Sequence, residues 1–350
     1  MGEHDEVVRR HGYHPLPIKR IVEETPDTRS LTLDIPDDLR DAFGYQPGQF
    51  CTFRVRVGDD EHARCYSMSS APHVDGDLTV TVKRVAGGIV SNWLNDHLCE
   101  GDLVDVTRPS GSFCVRDGHR PIIAFCGGSG ITPVISIAKS VLAASERPVR
   151  LLYANRGSDS VIFDGALKDL QGRYPGRFDV QHHLDAERGL LDAASIAEFL
   201  GCNHEADFYI CGPEAFMELV EETLLGLGVA ADDIFIERFT VAAEPVAATP
   251  GNAAGTDTPE AIVLILRGKR SEIGYRTGDT VLETARRASL AAPFSCEAGN
   301  CATCMAFLRE GTVTMRANNA LTPDEVEEGW VLTCQALPTS SSLTIEYEPL

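Results

Sequence analysis

From residue 16 to residue 115 the hydrophobic positions come in short runs with a period of two. Residues 18–22, 30–35, 50–57 and 78–85 are β-branched or alternating, and Pro36-Asp37-Asp38, Pro47-Gly48 and Gly58-Asp59-Asp60 break the pattern between them. Successive side chains of a strand point to opposite faces, so these runs predict short antiparallel strands, and several at this spacing predict a β-barrel. Beyond residue 120 the pattern changes. Residues 121–126 form an unbroken apolar run, as in a strand covered on both faces. An amphipathic helix is expected over 134–143. Strands over 149–154, 178–183 and 207–211 then alternate with helical stretches near 162–171, 192–200 and 213–226. Strand–helix alternation predicts a parallel sheet with crossover helices.

Residues 241–259 carry three prolines, two glycines and no aromatic residue, so they have nothing to bury and read as a linker of about 25 Å root-mean-square span. In the last stretch, 261–266 and 271–275 read as a hairpin and 280–288 as a helix with Asp279 as its cap. Residues 305–308 and 311–315 read as a further strand pair. A short acidic helix opens at Thr322 with Pro323 in its first turn. Its acids, Glu325 to Glu328, fit either a docking face or simple dipole chemistry. Residues 343–347 close the sheet. The expected architecture is multidomain: an antiparallel β-barrel over 12–117, an α/β parallel-sheet domain over 118–240, the linker over 241–259, and an α+β domain over 260–350.

Composition narrows the setting. The 350 residues suit two or three domains, and 43% hydrophobic with 24% charged residues is ordinary for a globular chain. No apolar run is long enough to span a bilayer. The first ten residues hold acids where an export signal needs a basic and then an apolar stretch. The eleven cysteines are therefore read as reduced thiols and metal ligands, and the expected compartment is the cytoplasm. The net charge of −21 speaks against nucleic acid or an anionic membrane as partner.

The sharpest chemical signal is Cys296-x4-Cys301-x2-Cys304, followed after 29 residues by Cys334. Three thiolates in one tight loop and a fourth from a distant element match the ligand spacing of a plant-type [2Fe–2S] cluster. Gly299 and the small residues Ala298, Ala302 and Thr303 let backbone N–H groups approach the inorganic sulfurs. A structural zinc site is the alternative, but zinc knuckles pair two short Cys-x-Cys units or combine Cys with His. A one-electron cluster needs an electron source, and the upstream segments hold candidates. Arg64-Cys65-Tyr66-Ser67 can lay Tyr66 on an isoalloxazine ring, offer Ser67 to its N5, and set the Arg64 fork against a pyrophosphate, though taken alone the four residues read by default as a cross-strand tyrosine and a surface arginine. Gly87-Gly88, followed by Val90 and Ser91, reads as a turn into a helix with Ser91 near the cap and an anion seat at the helix start. Gly127-Gly128-Ser129-Gly130-Ile131-Thr132-Pro133 follows the first apolar strand, where glycine lets a dinucleotide pyrophosphate approach a helix start.

The pair of upstream clusters, in this order and separation, resembles the ferredoxin–NADP reductase superfamily. The segment 260–350 resembles the plant-type ferredoxins. The resemblance implies that the strand of Arg64, Cys65, Tyr66 and Ser67 holds flavin and pyrophosphate. Val82, Lys83, Arg84, Gly88, Val90 and Ser91 would hold the rest of FAD. Gly128, Ser129, Gly130, Thr132 and Pro133 form the nucleotide loop, with Asn155 and Arg156 beside it. The turn Cys211-Gly212-Pro213 brings Cys211 beside the nicotinamide, and Glu237 and Phe239 flank the flavin. At the adenosine-side strand tip, Asp185 and Glu187 favour a free ribose hydroxyl and hence NADH; Arg156 and Arg188 pull towards NADPH.

The whole chain resembles the reductase components of bacterial multicomponent oxygenases that carry their ferredoxin at the C-terminal side. Arg64-Cys65-Tyr66-Ser67, the run 90–97, Tyr153-Ala154-Asn155-Arg156 and the run 328–334 carry that likeness. It implies a relay in which FAD takes a hydride from NADH and single electrons leave through the [2Fe–2S] cluster. The implied acceptor is a terminal oxygenase, Rieske-type and of the steroid-hydroxylating kind, with a di-iron oxygenase as the alternative. Other readings that stay open are a flavoprotein redox sensor with a structural four-cysteine zinc site, and a free NADH:acceptor reductase.

Overall fold

The computed structural model describes residues 13–58, 60–238, 258–266, 268–290, 292–294, 299, 302–318 and 320–347. The side chains of residues 60 and 61 are not described. Phe239, most of the 241–259 linker, Cys296, Ala298 and Cys301 lie outside the described residues.

The first domain is built on β1 (Tyr13–Thr25), β2 (Thr28–Leu33), β3 (Phe50–Val57), β4 (Asp60–Ser67), β5 (Thr79–Lys83) and β6 (Leu103–Thr107). They form one antiparallel sheet in the order β4-β3-β6-β1-β2-β5. A bridge between Met68 and Val80 joins the sheet's two ends, so the expected barrel closes. Its inward residues, among them Leu16, Leu31, Phe53, Val80 and Val106, are buried, and α1 (Ile89–His97) plugs one end with Val90 and Leu94. β6 escapes sequence reading because Leu103-Val104-Asp105-Val106 alternates for only two periods.

The second domain alternates as expected: β7 (Ile122–Gly127), α2 (Ile131–Ala144), β8 (Val149–Asn155), α3 (Asp164–Arg173), β9 (Phe178–Leu184), α4 (Asp185–Arg188), α5 (Ala193–Leu200), β10 (Asp207–Cys211), α6 (Glu214–Gly226) and β11 (Ile234–Glu237). The sheet is parallel with order β11-β10-β7-β8-β9. Every residue of β7 is buried, because α2 and α3 cover one face and α5 and α6 the other. Strand order reverses between β7 and β10, the place where open α/β sheets bind ligands at their C-terminal edge. Helix α2 starts at Ile131, three residues before its expected start. Pro133 does not delay it, since an N–H in the first turn has no intrahelical partner to lose.

A buried cation fastens the two domains' connection. Arg147 is 5% exposed and bonds the carbonyl oxygens of Arg120 (2.7 Å) and Arg116 (2.8 Å) and the carboxylate of Asp207 (2.6 Å). The Tyr209 hydroxyl donates to Cys114 O and accepts from Arg116 N–H, both at 3.0 Å. The chain leaving the barrel is thus clamped to the parallel sheet. A second contact lies nearer the expected chemistry: Ser136 Oγ of α2 donates to Ser70 O at 2.6 Å, and Lys139 Nζ reaches Ser69 O at 3.3 Å and Asp75 at 3.0 Å.

The third domain contains β12 (Ala261–Leu266), β13 (Lys269–Gly274), α7 (Val281–Arg287), β14 (Met305–Glu310), β15 (Val313–Met315), α8 (Pro323–Glu328), β16 (Trp330–Leu332), β17 (Ala336–Pro338) and β18 (Thr344–Glu346). The main sheet has order β13-β12-β18-β14-β16, and β15 pairs with β17 in a separate ribbon. Two expectations are corrected here. The segments 305–308 and 311–315 do not pair with each other. Gly311 lies at φ +91°, and a Cβ there would stand 2.1 Å from Ser342 O, so the chain turns out of the sheet at that point. β18 closes the sheet from its centre, parallel to β12 and antiparallel to β14. Helix α7 is capped by Thr280, whose side chain accepts from Glu283 N–H while Glu283 bonds back to Thr280 N–H. Asp279 instead pairs with Arg287. Thr can form the reciprocal box with a Glu three residues on; Asp279 is one position too early for it.

Candidate cofactor sites

Each site is a place where the fold leaves polar or backbone groups uncommitted. In the barrel, Ser67 ends β4. It is 2% exposed, and its hydroxyl has no hydrogen-bond partner among the described residues. Leaving a buried hydroxyl unmade costs about 1–3 kcal/mol, which a ligand group would recover. Tyr66 is half-buried with its ring edge-on to Phe53, centroids 5.6 Å apart, and burial pushes its phenol upward. Arg64 donates to Ala63 O at 2.7 Å and pairs with no carboxylate among the described residues. Cys65 Sγ lies 3.4 Å from Thr52 Oγ1.

Val82 is fully buried in the barrel, and Lys83 is 3.7 Å from Asp27. Arg84 is committed to Asp96 of α1 at 2.7 Å; that hydrogen bond raises the guanidinium and lowers the carboxylate. The cap of α1 is Gly88, without a side-chain bond, and Ser91 stands in the first turn. Its hydroxyl accepts the Val85 N–H at 3.2 Å, so Ser91 closes the turn rather than the helix.

In the parallel-sheet domain, Gly128–Gly130 form one short turn between β7 and α2. Gly130 is the N-cap of α2, again with no side-chain bond, and Thr132 Oγ1 donates back to Ser129 O at 3.0 Å. The glycines have a reason that sequence reading missed. A Cβ on Gly130 would stand 2.0 Å from Cys211 O, one on Gly127 2.7 Å from Pro213, and one on Gly212 2.8 Å from Phe216. The turn is thus packed against Cys211-Gly212-Pro213 at the sheet's switch point. Gly128 is different: at φ +52°, it has open space on its Cβ side except for Lys83 Nζ at 4.0 Å, which belongs to the barrel. The two domains' expected ligand seats therefore face each other.

Cys211 is fully buried, in register with Cys126 and Glu237. Burial pushes its thiol well up, and the Glu237 charge and Cys126 add to the effect, so it stays protonated. Cys114 is pushed up to about 11, by burial first and Glu237 second. Asp185 opens α4, and Ala186 N–H donates to Arg156 O at 2.9 Å, which brings the tips of β8 and β9 together. Arg156 and Arg188 are exposed at those tips.

In the third domain, Cys304 and Cys334 are buried and joined through Thr333, whose hydroxyl and N–H both donate to Cys304 O, at 2.8 and 3.2 Å. Gln335 Nε2 points at Cys334 Sγ, 3.5 Å away. Ala302 lies at φ +53° and Gly299 at φ +76°, with Ala317 O 2.8 Å from where a Gly299 Cβ would be. A left-handed alanine is strained, and it persists where surroundings dictate the loop's course. The buried Thr303 hydroxyl has no partner among the described residues. The described part of this loop, with Cys304 and Cys334 as sulfur donors, fits a cluster held by thiolates. Arg108 of the barrel reaches Glu325 at 3.7 Å, while Glu325 accepts Thr322 N–H at 2.7 Å in the cap of α8. That bond accounts for Glu325 as a capping acid.

A closed barrel, a parallel sheet with a glycine turn at its switch point, and a cysteine-bearing mixed sheet define a pyridine-nucleotide-dependent flavin iron–sulfur reductase. Comparison with known proteins agrees. Residues 15–114 match the oxidoreductase FAD-binding domain, 125–222 the oxidoreductase NAD-binding domain, and 264–339 the 2Fe-2S iron-sulfur cluster binding domain. The chain is 40% identical over 342 residues to a 3-ketosteroid-9-alpha-monooxygenase ferredoxin reductase component of Mycolicibacterium smegmatis, covering 95% of this chain and 96% of that one. It is 31% identical over 361 residues to a 1,2-phenylacetyl-CoA epoxidase component of Escherichia coli, covering 96% and 98%. Phthalate dioxygenase reductase shares the fold over 97% of this chain and 99% of that one, with a TM-score of 0.59 at 24% identity. The chain belongs to the family of FAD- and [2Fe–2S]-containing ferredoxin reductase components, and its cofactors are FAD, NADH and a [2Fe–2S] cluster. Among the described residues, no helix is long and apolar enough to cross a membrane.

Proposed function

We propose that this reductase delivers electrons from NADH to a Rieske-type terminal oxygenase that hydroxylates a steroid. The likeness to the Mycolicibacterium smegmatis reductase component, over nearly the full length of both chains, carries this reading. The similarity to the epoxidase component favours a second reading, with a di-iron oxygenase as acceptor. The acidic surface, with a net charge of −21, suits a basic docking face on either partner.

The geometry supports the following residue roles. Arg64, free of any described carboxylate, balances the FAD pyrophosphate, and the start of α1 at Gly88 donates backbone N–H groups to it. Tyr66 packs on the flavin ring and Ser67 hydrogen-bonds its reacting edge. FAD held by these residues would supply hydride acceptance and single-electron release, linking a two-electron donor to a one-electron cluster. Gly128, Ser129, Gly130 and the first turn of α2 seat the dinucleotide. Cys211 packs beside the nicotinamide as a neutral thiol, because burial and Glu237 keep its proton on. Asp185 accepts a ribose hydroxyl and selects NADH. Cys296, Cys301, Cys304 and Cys334 ligate the cluster. No residue is required as a nucleophile: the chain orients and shields.

The test begins with anaerobic visible spectra before and after NADH. Flavin bands overlaid on broad sulfur-to-iron absorption, both bleaching, are expected. Flavin absorption alone, with zinc by metal analysis, would overturn the relay. Reconstituted product formation with a Rieske steroid hydroxylase, set against a di-iron epoxidase, then separates the acceptors. Cytoplasmic location is part of the proposal, and fractionation of the native host checks it.

A further inference from the structure

Gln335 buries an amide in the core of the third domain. It is 8% exposed, and its neighbours in sequence, Leu332, Cys334 and Ala336, all belong to that domain's buried cluster. Glutamine is mostly a surface residue, and one held still inside a fold gives up its side-chain freedom. Its backbone is bonded locally: Gln335 N–H donates to Leu332 O at 2.8 Å, and Gln335 O accepts from Arg316 N–H at 3.0 Å. The side chain turns to the cysteine loop. Its Cγ lies 3.1 Å from where a Gly299 Cβ would stand, so the glycine leaves the room that the glutamine stem takes. Its Nε2 donates to Cys334 Sγ at 3.5 Å. Thr333 keeps the segment in place, since its N–H and its hydroxyl both hold Cys304 O.

The acceptor decides what this bond is for. A neutral thiol accepts weakly, whereas a hydrogen bond to an ionised acceptor is about twice as strong as a neutral one. A cysteine that ligates a metal is deprotonated, so the amide gains its full value only with the cluster in place. We propose that Gln335 is a positioning residue that sets the reduction potential of the cluster through the Cys334 sulfur. One electron added to the cluster puts more negative charge on its sulfur ligands. The Nε2–H donor steadies that charge and so raises the potential. Its proton stays on nitrogen, and no bond is made or broken. This rests on the reading of Cys334 as a cluster ligand.

Gln335→Met keeps the length and bulk of the side chain and removes the donor. In cluster-loaded full-length protein, potentiometry read by electron paramagnetic resonance should find the cluster about tenfold harder to reduce at a fixed poise, a fall of about 59 mV for one electron. Gln335→Glu, which offers the sulfur only acceptors, should lower the potential at least as far. The FAD potential, read in the same protein, should not move. A merely space-filling glutamine predicts the opposite sign: its loss admits water, which steadies the reduced cluster and raises the potential. An unchanged or raised potential in Gln335→Met therefore overturns the role, as does an equal shift of the FAD potential. If Gln335→Met does not hold its cluster, Gln335→Asn, whose amide is one carbon short of the sulfur, is read in the same way. Wild-type protein without sulfur-to-iron absorption would sink the cluster reading, and this role with it.

Discussion

The barrel and the parallel-sheet domain each present a glycine-led helix start as an anion seat, and the two are finished differently. At α1 the protein supplies its own bonds: Ser91 holds Val85 N–H, Asn92 donates to Val85 O, and Asn95 donates to Val82 O and Ser91 O. At α2 the backbone is fixed by contact with Cys211 and Gly212, while the Asn155 amide and His182 Nδ1 have no hydrogen-bond partner of proper geometry among the described residues. The side chains of the first seat are already paired, and its backbone N–H groups alone await a ligand, as suits a resident FAD. The second keeps bonds in reserve, as suits a nucleotide that must bind and leave in each turnover. Similar glycine-rich strings thus encode opposite divisions of labour between protein and ligand.

The largest expected effect breaks the comparison at the second seat. In Gly130→Ala the new methyl meets backbone, the Cys211 carbonyl, which cannot rotate away. We expect a loss of at least about 3 kcal/mol in urea unfolding, with NADH-driven flavin reduction abolished. Ser67→Ala comes next. It removes a buried hydroxyl with no protein partner among the described residues, so stability should not fall, whereas flavin reduction by NADH in stopped flow should slow about tenfold. A drop in stability with an unchanged rate would make Ser67 structural.

Gly88→Ala is the matched control for Gly130→Ala. Its methyl meets the Ser91 hydroxyl at 2.6 Å and Val85 at 3.0 Å, and the former can turn aside. The cost should be about 1 kcal/mol, with FAD retained on gel filtration but released more readily. Equal damage from the two alanines would erase the distinction drawn above.

The smallest effect concerns protons. Burial holds His182 below its ordinary pKa, opposed by Asp164 and aided by Lys168; His14 is lowered by burial and then by Arg108. Below about pH 6.5 the unfolded chain protonates these rings while the folded protein does not. The unfolded state then binds more protons, so stability falls as pH drops through that window. Thermal melts at pH 7.5 and 5.5 should show the loss, and His182→Leu should remove part of it.

What can be read directly from the chain is local. The Cys296-x4-Cys301-x2-Cys304 spacing and the apolar run of β7 each declare themselves within a few residues. What escapes depends on partners far along the chain. Gly130 owes its identity to Cys211, and β18 takes its place from β12 and β14. The Arg147–Asp207 pair joins segments sixty positions apart and has no motif. Thr280 and Asp279 can both cap a helix, and only the reciprocal bond with Glu283 decides between them. The Tyr153–Arg156 motif singles out Asn155 by resemblance, but only coordinates reveal that its amide has no hydrogen-bond partner of proper geometry among the described residues.

The central position of β18 bears on how the protein is made. Its partners β12 and β14 emerge from the ribosome first but have no neighbour between them until residues 344–346 follow. The barrel and the parallel sheet have all their strands more than a hundred residues earlier in synthesis. The iron–sulfur domain has no finished sheet until translation has passed β18, so its core is the last of the three to close.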